Sequence, residues 1–325
     1  MIICVSANPA IDRRLHVAKL AVGDVNRASS AEPLPGGKAA HVAMAARALG
    51  ENVMWVGFLG GPAGAECEKR LAAVEVPLAV VVTRSETRTN LEIIEADGRV
   101  TEVLEPGGQV TDGEIERMLT LCRDLFSEHE GTAQVALSGS LPPGAPPDFY
   151  AQLTRLAHTH GCRVLLDTSG EALRAALPEA PEVVKPNRDE AETLTGIRIS
   201  DSRSAAEAAR IIFEAGAHGV AISLGAEGMF WQESMDAEPL IAKAPQVDSR
   251  SAVGCGDASL AGFAVAHARR LKGADAVRFA AACGTANCLA AAPGMIDAQD
   301  VERIAPGASV QSIRKELWTR PTPTR

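Results

Sequence analysis

Short apolar runs alternate with amphipathic stretches along most of the chain. Runs bounded by turn residues predict buried strands at Ile2–Val5, Val53–Phe58, Val135–Ser138, Arg163–Asp167, Val183–Lys185 and Gly219–Ser223. Apolar residues at helical spacing predict helices at Ala39–Leu49, Pro147–His160, Asp189–Thr195, Ser204–Ala215, Asp257–Arg270, Asp275–Ala291 and Asp297–Arg303. Because strands that alternate with helices favour a parallel sheet covered on both faces, we predict an α/β fold with a mostly parallel central sheet.

Two segments, residues 13–34 and 78–105, interrupt this alternation. The second contains strand-like runs with no predicted helix between them, at Leu78–Thr83, Asn90–Glu95 and Arg99–Leu104. The turn Ala96-Asp97-Gly98 joins the last two runs and predicts a hairpin. We therefore predict a small antiparallel sheet from residues 13–34 and 78–105, beside a main unit of residues 1–12, 35–77 and 106–325.

Composition and charge exclude some classes of binding partner. The 32 Lys and Arg residues face 41 Asp and Glu, a net charge of −9, and aromatic residues are only 3 %. Nucleic-acid binding needs a basic surface and stacking side chains, so no nucleic-acid partner is expected. Neither a signal peptide nor an uncharged apolar run of the ~20 residues of a membrane span is evident. Seven cysteines without a C-x-x-C pair favour reduced thiols, and we expect a cytoplasmic protein.

The most informative segment is Gly254-Cys255-Gly256-Asp257, which precedes a predicted helix. Glycines before a helix let backbone N–H groups converge on one point, and with the helix dipole they form an anion hole. An aspartate in the first turn is placed to accept a proton from an attacking hydroxyl. Two other interpretations stay open: an ordinary helix N-cap, and a dinucleotide-binding G-x-G-x-x-S pattern ending at Ser259.

Two further segments pair glycine or amide groups with charge. Gly36 and Gly37 precede a predicted helix, and the adjacent Lys38 is placed to meet an anion, although a plain turn explains the pattern equally well. Asn187 and Glu190 lie three residues apart at another helix start. They suit a magnesium–phosphate assembly, whereas the alternative is a capping box between the two side chains.

Other candidates follow apolar strands or stand alone. Ser138 follows one strand, and the turn Ser223–Gly228 follows another, where open α/β sheets bind ligands, although a hairpin turn is the alternative. Asp12 is suited to sugar hydroxyls and Arg88 to a phosphate, and each is also consistent with an ordinary surface charge.

In this order the segments resemble the phosphofructokinase-B family of ribokinase-like sugar kinases. The likeness is greatest to 1-phosphofructokinases, tagatose-6-phosphate kinases and the minor type of 6-phosphofructokinase. The motifs that carry it are Asn8–Asp12, Pro35–Lys38, Thr87–Asn90, Ser138–Gly144, Asp167–Leu173, Lys185–Asn187, Ser223–Gly228 and Gly254–Asp257. The resemblance implies a ribokinase-like three-layer sandwich in which the small sheet is a lid.

The resemblance also implies roles. The enzyme would use ATP and Mg²⁺ to phosphorylate a hydroxyl of fructose 1-phosphate, fructose 6-phosphate or tagatose 6-phosphate, with Asp257 as general base. The anion hole would be formed by Gly254, Cys255 and Gly256. The residues that bind the sugar phosphate would be Asp12, Arg27, Gly36, Gly37, Lys38, His41, Arg88 and Ser138. The residues that bind the nucleotide would be Lys185, Asn187, Ser223, Gly225, Gly228 and Asn287. Glu190 would hold Mg²⁺ through water. K⁺ activation near Ser251, Val253 and Gly294, and a homodimer formed through the lid, are further implications.

Three residues depart from the family pattern: Ala39 replaces glycine, His41 replaces an asparagine that commonly touches sugar hydroxyls, and Cys255 replaces alanine. They leave the exact substrate open. The alternatives are a kinase of an unphosphorylated sugar or a nucleoside, and a sugar-phosphate-binding protein that has lost turnover.

Overall fold

The computed structural model describes residues 1–313, so the predicted end of the main unit, residues 314–325, lies outside the described residues. In the described range the strands are β1 (Ile2–Ser6), β2 (Ala10–Val17), β3 (Ser30–Gly36), β4 (Val53–Leu59), β5 (Leu78–Val82), β6 (Arg88–Glu95), β7 (Val100–Val103), β8 (Gln134–Ser138), β9 (Arg163–Asp167), β10 (Val183–Val184), β11 (Val220–Ser223), β12 (Met229–Gln232), β13 (Leu240–Lys243) and β14 (Ser309–Ser312). The helices are α1 (Lys38–Ala48), α2 (Gly61–Ala73), α3 (Asp112–Glu128), α4 (Phe149–Thr159), α5 (Gly170–Ala176), α6 (Arg188–Thr195), α7 (Ser202–Glu214), α8 (Cys255–Ala268), α9 (Gly273–Leu289) and α10 (Ala298–Ile304).

The large sheet has the order β14-β13-β12-β11-β10-β9-β8-β1-β4-β5 within residues 1–313. Neighbouring strands from β11 to β5 pair in parallel, whereas β12, β13 and β14 extend the sheet by antiparallel pairing. The predicted α/β class and the mostly parallel sheet are therefore confirmed.

Helices cover both faces of this sheet. Successive residues of a strand point to opposite faces, and β1 shows the result: Ile3 belongs to the core cluster that contains Phe149 of α4. Ile2 belongs to the other cluster, which contains Phe263 of α8. Burial on both faces explains why the sequence of the central strands is continuously apolar. No helix within residues 1–313 is both long and apolar enough to cross a membrane.

The small sheet has the order β3-β2-β6-β7 and contains the predicted hairpin at Ala96–Gly98 between β6 and β7. Two expectations were wrong. The pairing of β2 with β6 is parallel, so the small sheet is mixed rather than antiparallel. Strand β5, Leu78–Val82, pairs in parallel with β4 of the large sheet and does not belong to the small one.

The misplaced strand has a physical explanation. Helix α2 was not predicted from the sequence, and a parallel neighbour of β4 requires such a crossover element. With α2 present, Val81 is paired with Phe58 and buried in the core. Helix α3 and the strands β12 to β14 were not predicted either, although a capping box between Thr111 and Glu114 marks the start of α3.

Candidate active site

The carboxyl ends of neighbouring parallel strands bring the candidate residues to one edge of the large sheet. Ser138 ends β8 and lies directly opposite Asp167, which ends β9. Lys185 follows β10, and Ser223 ends β11. Segments that are far apart in sequence therefore meet at this edge.

The N-terminus of α8 carries the predicted anion hole. Gly254 caps the helix with φ of +79°, a conformation that favours glycine, and a Cβ there would lie 2.7 Å from Cβ of Pro293. The first amides of a helix have no partner within it, so those of Cys255 and Gly256 lie at the positive end of the helix dipole. Asp257 lies in the same turn and is only 7 % exposed.

Asn287 holds the backbone before α8 through its side-chain amide. Its amide nitrogen donates to the carbonyl of Val253 at 2.8 Å, and its amide oxygen accepts from the N–H of Gly294 at 2.8 Å. The side chain is buried, and both of its polar ends are engaged within the protein. Asn287 therefore holds the backbone around the predicted anion hole, and its position near a nucleotide base stays a prediction.

His41 joins two buried carboxylates. Its Nδ1 lies 2.8 Å from Oδ2 of Asp257, and its Nε2 lies 3.6 Å from Oδ2 of Asp12. Asn90 donates to the other oxygen of Asp12 at 2.8 Å. The chain Asp12–His41–Asp257 thus connects the small sheet, α1 and the first turn of α8.

The two carboxylates keep His41 charged. Burial alone would lower the pKa of the imidazole, but the hydrogen bonds and charges of Asp12 and Asp257 raise it to about 10. Burial disfavours the charged form of Asp12 as well, yet His41 and Asn90 together lower its pKa below the usual range. We therefore interpret this group as an imidazolium between two carboxylates at neutral pH.

Gly36 makes room for the Asp12 carboxylate. A Cβ at Gly36 would lie 2.2 Å from Oδ1 of Asp12, because β3 pairs directly with β2. Gly37, with φ of +86°, caps α1, on which His41 lies one turn further on. The glycine pair thus brings the start of α1 against Asp12 and orients His41 towards it.

Asp167 begins one of the motifs that carry the family resemblance, but no role was predicted for it from the sequence. Its carboxylate oxygens lie 2.7 Å from Nζ of Lys38 and 2.7 Å from Nζ of Lys185. Burial opposes its ionisation, but the two ammonium groups outweigh that effect and lower the pKa of Asp167 to about 2. Its position at the end of a buried strand was the available signal.

Lys185 reaches the anion hole from this cluster. A Cβ on Gly256 would lie 3.2 Å from its Nζ, so the ammonium group lies against the backbone of α8. Lys185 is 2 % exposed, whereas the side chain of Lys38 is 37 % exposed. The two lysines therefore place one buried and one accessible cation beside the N-terminus of α8, where the N–H of Cys255 donates to the carbonyl of Ala252 at 3.3 Å.

Asn187 and Glu190 form the capping box that was the alternative interpretation. The Asn187 side chain accepts from the N–H of Glu190, and Oε2 of Glu190 accepts from the N–H of Asn187, both at 2.8 Å. Oε1 of Glu190 lies 3.6 Å from Nζ of Lys38, which keeps this carboxylate at the site. Within residues 1–313, no three His, Cys, Asp or Glu side chains are grouped to hold a metal ion.

The remaining candidates at the sheet edge differ in their surroundings. Ser138 is buried, and its hydroxyl has no hydrogen-bond partner in the described range. Ser223 leads into the hairpin between β11 and β12. A Cβ on Gly225 would meet open space, whereas one on Gly228 would lie 2.2 Å from the carbonyl of Ala242. Gly225 thus leaves space above the strand end, and Gly228 is required for packing.

The two arginines lie in different environments. Arg88 donates from Nη1 to the carbonyl of Glu105 and from Nη2 to that of Asn8, both at 2.9 Å, and it lines a cleft with Thr87. Arg27 is exposed in the segment between β2 and β3, and no contact joins it to the cluster within residues 1–313. The structure therefore brings Arg88, but not Arg27, to the site.

Comparison with known proteins agrees with this geometry. A model of the pfkB family of carbohydrate kinases matches residues 2–296. The chain is 39% identical over 272 residues to a 1-phosphofructokinase of Xanthomonas campestris pv. campestris, which covers 81% of this chain and 83% of that protein. It is 30% identical over 308 residues to a tagatose-6-phosphate kinase of Staphylococcus epidermidis, covering 94% and 97%.

A solved structure shows the same fold. Phosphofructokinase-2 from Escherichia coli in complex with fructose-6-phosphate superposes with a TM-score of 0.85 at 29% identity, covering 94% of this chain and 98% of that one. The family model spans most of the chain, and two relatives that are at least 30% identical to it are sugar-phosphate kinases by name. The chain therefore belongs to the pfkB family of carbohydrate kinases, enzymes that transfer a phosphoryl group to a sugar hydroxyl.

Proposed function

We propose that this kinase transfers the γ-phosphoryl group of ATP to a hydroxyl of a ketohexose phosphate, with Asp257 as the general base. The observation that supports this most directly is the first turn of α8. There a buried carboxylate, held by His41 at 2.8 Å, lies beside the amides of Cys255 and Gly256. A base and an anion hole within one helical turn suit attack by a hydroxyl on a phosphoryl group.

The reaction balances with these groups. The sugar hydroxyl oxygen forms a bond to the γ-phosphorus, and the bond from that phosphorus to the bridging oxygen of ADP breaks. Asp257 accepts the hydroxyl proton through Oδ1, because Oδ2 is held by His41. The amides of Cys255 and Gly256 stabilise the negative charge on the transferring group.

The residues present fit a magnesium nucleotide. Lys38 and Lys185 supply positive charge beside the anion hole, and the open space above Gly225 leaves room for a ligand at the end of β11. Glu190 faces Lys38, so its carboxylate would reach Mg²⁺ through water rather than directly. The metal would neutralise phosphate charge during transfer.

The sugar phosphate would lie over the small sheet. Asp12 is held by Asn90 and His41, which orients its carboxylate towards sugar hydroxyls. Arg88 lies in the adjacent cleft and is placed to meet the substrate phosphate. The similarity to a 1-phosphofructokinase, to a tagatose-6-phosphate kinase and to a phosphofructokinase-2 in complex with fructose-6-phosphate supports three candidates: fructose 1-phosphate, tagatose 6-phosphate and fructose 6-phosphate.

We further propose that two copies of the chain associate through the small sheet. Large apolar side chains are exposed on this part of the molecule, where burial against a second copy would remove them from water. They are Val22, Val25, Val103 and Leu104. A lid closed by such contacts would help to exclude water from the phosphoryl transfer.

An assay of ADP release tests the proposed reaction. The panel contains ATP and Mg²⁺ with each of the three ketohexose phosphates, and with free fructose, ribose and adenosine. We expect turnover on one sugar phosphate and a rate about 10²–10⁴ lower for Asp257→Asn. Asp275→Asn, on an exposed carboxylate at the start of α9, is the matched control and should keep the full rate.

Other outcomes would contradict specific parts of the proposal. Turnover only on a neutral substrate would remove the phosphate role of Arg88. Full activity of Asp257→Asn would remove the general base. A folded protein that is stabilised by a sugar phosphate but turns over nothing would favour the binding-protein alternative.

A further inference from the structure

Two cysteines meet where α8 begins and α9 ends. Sγ of Cys255, the first residue of α8, lies 3.1 Å from Sγ of Cys288, one residue before the end of α9. Both side chains are partly exposed, whereas the other five cysteines are buried. Among the seven cysteines, these two are therefore the ones that a solute can reach.

Helix packing explains why the two thiols face each other. A Cβ on Gly284 would lie 2.3 Å from Oγ of Ser259, so the helices approach closely at this point. Cys255 lies one turn before Ser259, and Cys288 lies one turn after Gly284. Because residues four apart share a helix face, the close approach at 259 and 284 places 255 against 288.

The surroundings favour a thiolate at one sulfur. The hydrogen bond from the Cys255 thiol lowers the pKa of Cys288 to about 6, although burial acts in the opposite direction. The same contact raises the pKa of Cys255, so that its sulfur keeps the proton. A thiolate is the nucleophilic form of cysteine, and a second thiol at contact distance is placed to resolve its oxidation product.

We propose that Cys255 and Cys288 form a thiol-oxidation site, at which hydrogen peroxide converts the pair to a disulfide that distorts the anion hole. The Cys288 thiolate attacks one peroxide oxygen and the O–O bond breaks, which leaves a sulfenic acid on Cys288. The released hydroxide takes up a proton from solvent, equivalent to the one that Cys288 lost on forming the thiolate, and becomes water. The Cys255 sulfur then attacks the Cys288 sulfur, the S–S bond forms, and hydroxide leaves with the Cys255 proton as a second water. Two electrons pass from the sulfurs to the peroxide.

Closure of this bond changes the geometry of the site. The sulfurs would approach from 3.1 Å to about 2.05 Å. Cys255 supplies an anion-hole amide and lies two residues before Asp257, so the shift falls on the first turn of α8. A misplacement of about 1 Å costs up to about 10²-fold in rate, and we expect kcat to fall by about 10- to 100-fold.

The test uses the full-length protein, reduced with dithiothreitol, desalted and then treated with hydrogen peroxide. Free thiols are counted after denaturation, and the disulfide is located by mass spectrometry of peptides. We expect the count to fall from seven to five, with Cys255 linked to Cys288. Dithiothreitol should restore both the thiols and the kinase rate.

Variants separate this site from other oxidation. Cys288→Ser, with Cys288→Ala as a second form if serine impairs folding, should keep its kinase rate after peroxide. The matched control Cys162→Ser removes a buried thiol that lies within 4 Å of the backbone carbonyls of Phe126, His129 and His160, and it should still lose activity with peroxide. Equal inactivation of the Cys288 variants, or a disulfide without loss of rate, would overturn the proposal.

The activity readout rests on the proposed function, but the thiol count does not. A protein with no kinase activity before oxidation would contradict the proposed function and leave the disulfide measurable. A constant count of seven thiols, or oxidation of a single cysteine only, would overturn the oxidation site whatever the kinase activity.

Discussion

Single side chains at this site act through charged neighbours rather than alone. His41 is the clearest example, because its imidazole contacts Asp257 and lies near Asp12, with Glu92 and Glu102 of the small sheet also contributing charge. The imidazole of His41 therefore carries a positive charge at neutral pH. That charge stabilises the folded protein only while the imidazole is protonated.

Stability should consequently depend on pH through His41. Its pKa is about 10 in the folded protein against an ordinary value near 6.5, so its contribution is complete below pH 6.5 and disappears as pH rises through 10. We expect His41→Gln to lower the free energy of unfolding most at pH 6 and to match the unsubstituted protein above pH 10. Urea unfolding across this range measures the difference, with the exposed His218→Gln as control. A difference in unfolding free energy that stays the same at every pH would show that the charge of His41 does not contribute to stability.

Arg88 offers a second prediction for one residue. A charge-assisted contact with the substrate phosphate is worth about 1.5–3 kcal/mol, so Arg88→Gln should raise KM for the sugar phosphate about 10- to 100-fold. Steady-state kinetics measures the change, and kcat should fall less than KM rises. Arg99→Gln, in the same hairpin but paired with Glu95, is the control. An unchanged KM would favour the neutral-substrate alternative.

Helices α8 and α9 pack closely at positions where glycine has no side chain to keep them apart. The helices α8 and α9 form one close pair, and Gly262 and Gly284 lie where a Cβ would strike the opposite helix, at 2.7 Å from Cα of Ala280 and 2.3 Å from Oγ of Ser259. This packing supports the first turn of α8, where Asp257 lies. The distance between the two helices thus affects the position of the anion hole.

Enlarging this contact should separate the helices. We expect Gly284→Ala to lower the free energy of unfolding by about 1–3 kcal/mol, because an added methyl group overpacks a filled interface. Gly113→Ala is the control, since the nearest side-chain atom to its Cβ would be 3.9 Å away, and alanine favours the helix α3. Denaturant titration compares the two. Equal stability would mean that Ser259 and the backbone of Cys255 adjust without cost.

The whole molecule combines a deeply buried sheet with a small sheet at which several large apolar side chains are exposed. Leu104 is 59 % exposed beside β7, at the edge of the small sheet. Such a surface is expected where a second copy binds. Association would join the two small sheets, each of which also contributes Asp12 and Arg88 to its own site.

Mass measurement in solution tests this arrangement. Light scattering after gel filtration should give about twice 33.9 kDa for the protein and a shift towards 33.9 kDa for Leu104→Glu, because a buried charge opposes association. Met235→Glu replaces a similarly exposed residue between β12 and β13 and should leave the mass unchanged. A monomeric unsubstituted protein would contradict association through the small sheet.

Local pattern was sufficient to predict the α/β class, the central strands and the glycine-bearing motifs at strand ends. Apolar runs, helical spacing and turn residues extend over only a few positions, so they can be recognised in the amino-acid sequence alone. The helices predicted after Gly254 and after Gly37 are present for this reason, because a glycine before a helix has the same local meaning in any fold. The capping box at Asn187 was equally visible.

Only the tertiary structure decided which distant groups meet. It joined His41 to Asp257 across 216 positions, placed Asp167 between two lysines, set Cys255 against Cys288, and paired β5 with β4 rather than with the small sheet. It also left Arg27 away from the cluster. Such contacts depend on how the sheet is ordered and how helices pack on it, and neither is encoded within a short window of sequence.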